Sequence, residues 1–224
     1  MTWVKKSVIL KGELKMTLNI LGLCGSPIKG GNCEKLLNVA LKAAEDTGDV
    51  ETELISLADK RIEYCRHCQK CIEKKVKWCA IDDDVPMIYD KIEVANGLIV
   101  GSPIYIGGVP GKLESVIDRS RVFLFFKKHI TMYKASGIVV AGWFRNQGTE
   151  LCINRLEFWL QRGLGMIPSD YVAAGVASTG ARGEYPPRYV DEGIMEDGTG
   201  LYLAKKVGQR VAQRAKEIQK IIKG

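Results

Sequence analysis

Leu18-Asn19-Ile20-Leu21-Gly22-Leu23-Cys24-Gly25-Ser26-Pro27-Ile28-Lys29-Gly30-Gly31-Asn32-Cys33 is the stretch on which the fold turns. Residues 18–23 form a nearly continuous apolar run, the pattern of a strand buried on both faces of a parallel sheet. The run breaks at Cys24-Gly25-Ser26-Pro27, and a helix follows with Cys33, Leu36, Leu37, Ala40 and Leu41 along one side. Between them lies a turn of small residues that delivers unpaired backbone N–H groups at a helix N-terminus. A terminal phosphate can accept those N–H bonds at the positive end of the helix dipole. Ser26, Asn32 and the backbone around Gly30 are the candidate donors, with Lys29 supplying charge at longer range. An ordinary helix start that needs no ligand uses the same residue types. The turn is neither Gly-x-Gly-x-x-Gly nor a Gly-Lys-Ser/Thr triphosphate loop.

Outward from this turn the pattern repeats. Gly48 stops the helix, and residues 50–57 alternate as a second strand. A short helix over residues 85–91 precedes a third strand at 97–100, and Pro110-Gly111 opens a helix with Leu113, Val116, Ile117 and Ser120 on one face. Residues 137–141 read as a fourth strand, followed by a loop over 142–148 and a helix to Gly163, and residues 167–175 as a fifth strand. The last helix carries Leu203, Val207, Val211, Ala215, Ile218 and Ile222 at helical spacing, so its many lysines and arginines form a solvated face. Strands alternating with helices of this length predict an α/β protein: a flavodoxin-like, doubly wound, five-stranded parallel sheet, with a cysteine-rich insertion after the second strand. Residues 16–224 are expected to form one domain that includes the cysteine segment 59–80 and an irregular flap at 176–198, with residues 1–15 an extension or arm.

Composition agrees with a packed domain. Of the 224 residues 46% are hydrophobic and 26% charged, enough apolar material for a core. The net charge of +7 permits nucleic acid, an acidic protein or an anionic cofactor, but no nucleic-acid-binding module is present. No apolar run of about 18 residues exists, and residues 1–15 lack the apolar centre of a signal peptide, so no membrane partner and a cytoplasmic location are expected.

Two more strand ends complete a site. Ser102-Pro103-Ile104-Tyr105-Ile106-Gly107-Gly108 follows the third strand and Gly142-Trp143-Phe144-Arg145-Asn146-Gln147-Gly148 the fourth. Ligands of open α/β sheets bind beyond the carboxyl ends of the strands, where strand order reverses. The backbone of residues 104–107 can address the polar edge of a flat ring such as an isoalloxazine, with Tyr105 and Trp143 beside it, although both aromatics also suit packing under a loop.

The sharpest signal is Cys65-x-x-Cys68-x-x-Cys71, with Cys79 eight positions on. Four thiols so close suit a soft metal centre. Zinc sites of four cysteines usually come as two separated pairs, whereas consecutive x-x spacing is the run that holds a [4Fe–4S] cluster. Zinc, or thiols free or in disulfides, remain the alternatives. Lys60, Arg61, Arg66, Lys70, Lys74, Lys75 and Lys77 surround the segment and suit docking of an acidic carrier or a solvated surface. His67 is expected at the surface, and Trp78 either over the cysteines or in the core. Cys24, Cys33 and Cys152 suit small buried hydrophobes.

With these motifs in view, the chain resembles the archaeal-type iron–sulfur flavoproteins, a branch of the NADPH-dependent FMN reductase-like superfamily. The likeness rests on Leu23-Cys24-Gly25-Ser26-Pro27, Gly30-Gly31-Asn32, the four cysteines, Gly101-Ser102-Pro103-Ile104-Tyr105, and Gly111-Lys112-Leu113 through Ile117-Asp118-Arg119. The resemblance implies FMN and a [4Fe–4S] cluster in each subunit, dimers that pair into tetramers, and electrons taken from a ferredoxin-like carrier. It further implies that Ser26, Asn32 and the backbone around Gly30 hold the FMN phosphate, that Pro103, Ile104, Tyr105, Ile106 and Gly107 hold the ring, and that Cys65, Cys68, Cys71 and Cys79 hold the cluster. Two departures stand out: Ile28 where relatives often place arginine, and Cys33 where threonine is usual. The function expected is an oxidoreductase that passes electrons from the carrier through cluster and FMN to a small oxidant or second carrier. The alternatives are an NAD(P)H-dependent FMN or quinone reductase with a structural metal at the cysteines, and a non-enzymatic regulator on the same fold. The apolar run Val122-Phe123-Leu124-Phe125-Phe126 is expected to be covered in part by a second subunit near the flavin loops, or else folded over the core.

Overall fold

The apolar run that opens the domain becomes β1 (Leu18–Cys24), and the amphipathic segment after it becomes α1 (Asn32–Glu45). There follow β2 (Val50–Ser56), α2 (Val85–Val94), β3 (Gly97–Pro103), α3 (Gly111–Arg119), the single turn α4 (Lys128–Thr131), β4 (Ala135–Gly142), α5 (Thr149–Glu157), β5 (Ile167–Val176) and α6 (Gly198–Lys223). This computed structural model describes residues 17–146, 148–186 and 188–223. The expected arm at 1–15 lies outside the described residues.

All five strands are parallel, in the order β2-β1-β3-β4-β5. The chain leaves β1 for one edge, returns through β3 on its other side and continues outward, so the order reverses between β1 and β3. In doubly wound sheets that reversal opens a crevice at the carboxyl ends. Helices α1 and α6 cover one face, where Leu36, Leu37, Ala40, Val207 and Val211 are buried against Ile20, Ile99 and Val139. On the other face α2, α3 and α5 bury Ile88, Tyr89, Leu113, Val116, Cys152 and Leu156 against Leu21, Leu98 and Val140.

Several boundaries differ from those read in the sequence. Strand β3 runs on to Pro103 because its pairing with β4 continues through Pro103 and Ala141. The helix expected to reach Gly163 ends at Glu157 and relaxes into a π-helical turn, Phe158–Gly163. Ile222, placed on the core stripe, is 69% exposed. Lys216 already meets the Thr47 carbonyl just past the end of α1, so the turns of α6 beyond it have outrun that neighbour.

The run at 122–126 divides: Val122 and Phe123 are buried, while Leu124, Phe125 and Phe126 stay exposed in a π-helical turn, Phe123–Lys127. Trp78 belongs to the core. Its ring stacks on Phe123 at 5.0 Å and meets Tyr89 edge-on at 6.0 Å, and its Nε1–H donates to Asp90 at 2.7 Å. This fastens the end of the cysteine segment to α2. No helix among the described residues is long and apolar enough to cross a membrane.

Candidate functional site

A cavity of about 450 Å³ opens at the β1/β3 reversal. The β1–α1 turn supplies Ser26, Ile28, Asn32 and Cys33; the loop after β3 supplies Pro103, Ile104, Tyr105 and Ile106; the end of β4 supplies Ala141, Gly142 and Trp143. Three strand ends expected to share a ligand therefore do share one space.

At its phosphate-type end, α1 has Gly31 at the cap position just before it and no side-chain cap, which leaves first-turn N–H groups for a ligand. The Ser26 hydroxyl accepts the Ile28 N–H at 3.1 Å and so shapes the turn. Gly30 sits at φ +67° with open space around it. Lys29 lies apart from the cavity lining and pairs with Asp59 at 3.0 Å on the surface. The Asn32 side chain is engaged by the flap: its amide nitrogen donates to the Val190 carbonyl at 3.1 Å and to the Tyr189 hydroxyl at 3.4 Å, and its oxygen accepts the Ile194 N–H at 3.0 Å. Beside it, Lys35 pairs with Glu192 at 2.6 Å.

The other end is apolar and aromatic. Tyr105 and Trp143 are about half exposed, 47% and 50%, and Ile106 is fully exposed at φ +49°. Burial lifts the Tyr105 phenol above its ordinary value, so it stays neutral near pH 7. Gly107 at φ +77° packs against Gly148, where a Cβ would lie 2.4 Å from the Gly107 Cα, so the loops after β3 and β4 touch backbone to backbone. The donor groups at one end and the open aromatic faces at the other fit a phosphate-bearing flat cofactor such as FMN. Ala141, Ala177 and Tyr189 also line the cavity. An aromatic in a long flap, as Tyr189 is, offers a signal by which sequence could find it; the two alanines offer none.

The four cysteines sit away from this cavity. Cys65, Cys68, Cys71 and Cys79 line one small pocket of about 20 Å³ together with Arg119 and Arg121. His67 is exposed, as its sequence context implied. Arg119 was quoted within a motif but given no role. Its side chain and that of Asp83 are wholly buried, joined at 2.5 and 2.8 Å, and the guanidinium also donates to the Glu63 carbonyl at 3.0 Å. Burial disfavours its charge, but hydrogen bonds to Asp83 and to Cys79 hold it protonated. Among the described residues its Nε has no hydrogen-bond partner. Lys112, in the same motif region, donates to the carbonyls of Leu57, Ala58 and Lys60 at 2.8–3.0 Å and anchors the turn into the cysteine segment.

Four soft thiols beside two cations suit a cluster in donor chemistry. The geometry does not yet match: among the described residues no group of three or more His, Cys, Asp or Glu stands close enough to hold a metal ion. Burial raises the Cys71 thiol above its usual value, with Cys79 adding to the rise.

Sheet order, uncapped helix and aromatic-walled cavity define the class: an FMN-binding, flavodoxin-like oxidoreductase. Residues 18–179 match the family model of the NADPH-dependent FMN reductases, and the chain belongs to that family. It is 36% identical to an iron–sulfur flavoprotein of Methanocaldococcus jannaschii over 91% of this chain and 100% of the relative. An iron–sulfur flavoprotein of Methanosarcina thermophila is also 36% identical, over 64% of this chain and 73% of the relative. Among solved structures, RosB with a bound formylriboflavin phosphate intermediate superposes with a TM-score of 0.66 at 18% identity, covering 91% of this chain and 81% of RosB. An NAD(P)H:quinone oxidoreductase from Methanothermobacter marburgensis gives 0.61 at 15% identity, covering 87% and 99%. At such identities the structures speak for the fold alone.

Proposed function

We propose that this chain holds FMN in the β1/β3 cavity and works as an NAD(P)H-dependent reductase of the flavin or quinone type. The observation that carries the reading is the single cavity with an uncapped helix N-terminus at one end and the exposed faces of Tyr105 and Trp143 at the other. The match to the family model of the NADPH-dependent FMN reductases supports this alternative better than relay from a ferredoxin-like carrier. Bound FMN supplies the redox chemistry, accepting a hydride or single electrons and returning them to an acceptor. The protein's part is to bind and orient. Backbone N–H groups of Gly30, Asn32 and Cys33 hold the phosphate. Pro103, Ile104, Ile106 and Gly107 present backbone to the polar edge of the ring, Tyr105, Gly142 and Trp143 flank it, and Tyr189 covers the phosphate end from the flap. Lys29, tied to Asp59, adds positive charge at a distance.

A second reading places a [4Fe–4S] cluster at Cys65, Cys68, Cys71 and Cys79, with a ferredoxin-like carrier as donor. It is favoured by the one pocket that these four thiols share with Arg119 and Arg121, and by the names of the two relatives above. One anaerobic preparation separates the two: assay flavin, iron and acid-labile sulfide, then add NADPH or NADH and follow flavin bleaching. Rapid bleaching supporting turnover is expected on the reductase reading. Stoichiometric FMN with about four irons per chain, and no bleaching by either nucleotide, would replace it with the second.

A further inference from the structure

From the sequence Cys24 and Cys33 suit small buried hydrophobes, with Cys33 also at the phosphate turn where relatives usually place threonine. Folding instead sets them face to face: their sulfurs are 3.9 Å apart, one at the carboxyl end of β1 and the other in the first turn of α1. Both are nearly fully buried, yet Cys33 forms part of the cavity wall. Nine positions separate them in sequence, and the intervening residues are the small-residue turn itself.

We propose that Cys24 and Cys33 form an oxidisable dithiol, reached through the cavity and converted by a peroxide to a disulfide when the cavity is empty. The proposal rests on the cavity, and its shielding arm rests on the FMN reading above. In the step, Cys33 takes one oxygen from the peroxide as the O–O bond breaks, giving a sulfenic acid and water. Cys24 then attacks the Cys33 sulfur, the S–S bond forms, and the sulfenic oxygen leaves as a second water. Two thiols lose two electrons and two protons, and one hydrogen peroxide gains them. The sulfurs must close from 3.9 Å to about 2 Å for the bond to form. The contact with Cys33 holds the Cys24 thiol below its ordinary value, while the same contact and burial raise Cys33; Cys33, the thiol that the cavity reaches, therefore reacts with peroxide slowly near neutral pH and faster as pH rises, and Cys24 is the readier thiolate to resolve the sulfenic acid. Bound FMN would cover Cys33 and block the peroxide.

Trypsin cuts after Lys15, Lys29 and Lys35, which places the two cysteines on different peptides, 16–29 and 30–35. The full-length protein stripped of flavin is treated with dilute hydrogen peroxide, its remaining thiols are alkylated, and the digest is read by mass spectrometry. Expected is a linked 16–29/30–35 species, two hydrogens lighter than the sum, that dithiothreitol separates. With FMN at about 100 times its dissociation constant, linkage should slow by about 100-fold. Cys33→Thr should abolish the linked species, and Cys152→Ala should leave it unchanged. Fully alkylated Cys24 and Cys33 after treatment of the stripped protein, or a Cys33–Cys152 link in their place, would overturn the proposal. So would equal rates with FMN shown to be bound. FMN binding is read separately by quenching of flavin fluorescence, so failure of the FMN reading shows there while the linked peptide still decides the dithiol.

Discussion

Lys134 sits where β4 begins, with its ammonium donating to the carbonyls of Ile92 at 3.2 Å and Glu93 at 2.5 Å. Burial pushes its pKa down to about 8, below the ordinary lysine value. An unfolded lysine titrates near about 10.4, so the unfolded chain binds more protons between the two values and stability rises with pH there. Below pH 8 the buried charge opposes folding in full. Denaturant melts of the wild type at pH 8 and 10 should show this rise, and Lys134→Met should remove it. Cys68 discriminates between the two readings of the cysteine pocket. If a cluster is held there, Cys68→Ala loses iron and sulfide while FMN content persists, because the flavin cavity is built from other strand ends. If the chain is a plain reductase, NAD(P)H-driven flavin bleaching is unchanged by the same substitution. Cys152, buried and with its thiol pushed up to about 11, should be inert to alkylation in the native protein, and Cys152→Ala should cost about 1–2 kcal/mol.

Among elements, the flap and α1 are joined through one side chain. Asn32→Ala would strip the buried Ile194 N–H of its acceptor and free Tyr189 and Val190, a loss of about 1–3 kcal/mol held locally in the flap. The expected readout is faster tryptic cleavage at Arg182 and Arg188, with weaker FMN retention and little change in global melting. The α1/α6 contact has the opposite character, since it depends on a missing side chain. A Cβ at Gly208 would lie 1.9 Å from the Ala40 carbonyl oxygen. Gly208→Ala therefore forces the two helices apart, and a destabilisation of about 1–3 kcal/mol should appear as a lower thermal midpoint.

For the whole molecule, Leu124, Phe125 and Phe126 form an exposed apolar turn on the surface of one chain, with Phe125 56% exposed. Phe126 lines a cavity with Cys71, Lys74 and Lys127, which puts the turn beside the cysteine segment; the sequence reading has a second subunit covering part of it near the flavin loops. A second copy covering this turn would give a mass above that of one chain by light scattering, and Phe125→Glu should return it to a monomer. A monomeric wild type at micromolar concentration would end this expectation.

The order of strands and helices was readable because each buried strand is a near-continuous apolar run and each helix keeps its apolar stripe; residues 18–23 and the face Leu36, Leu37, Ala40 and Leu41 needed no partner to be recognised. The three loops of the site were likewise legible, since glycine, proline and aromatic residues at strand ends are a local signal. Tertiary structure alone decided which groups face one another. Asn32 reads as a phosphate donor in its own turn, but a segment more than 150 positions away takes its amide. Arg119 carries no sign of a buried role in its own stretch of sequence, yet a carboxylate from another segment lets it be buried as a pair. Cys24 and Cys33 read as separate buried thiols, and only the pairing of β1 with α1 brings their sulfurs together. Local periodicity records how a residue is presented, whereas a partner distant in sequence leaves no trace in the residue's own neighbourhood.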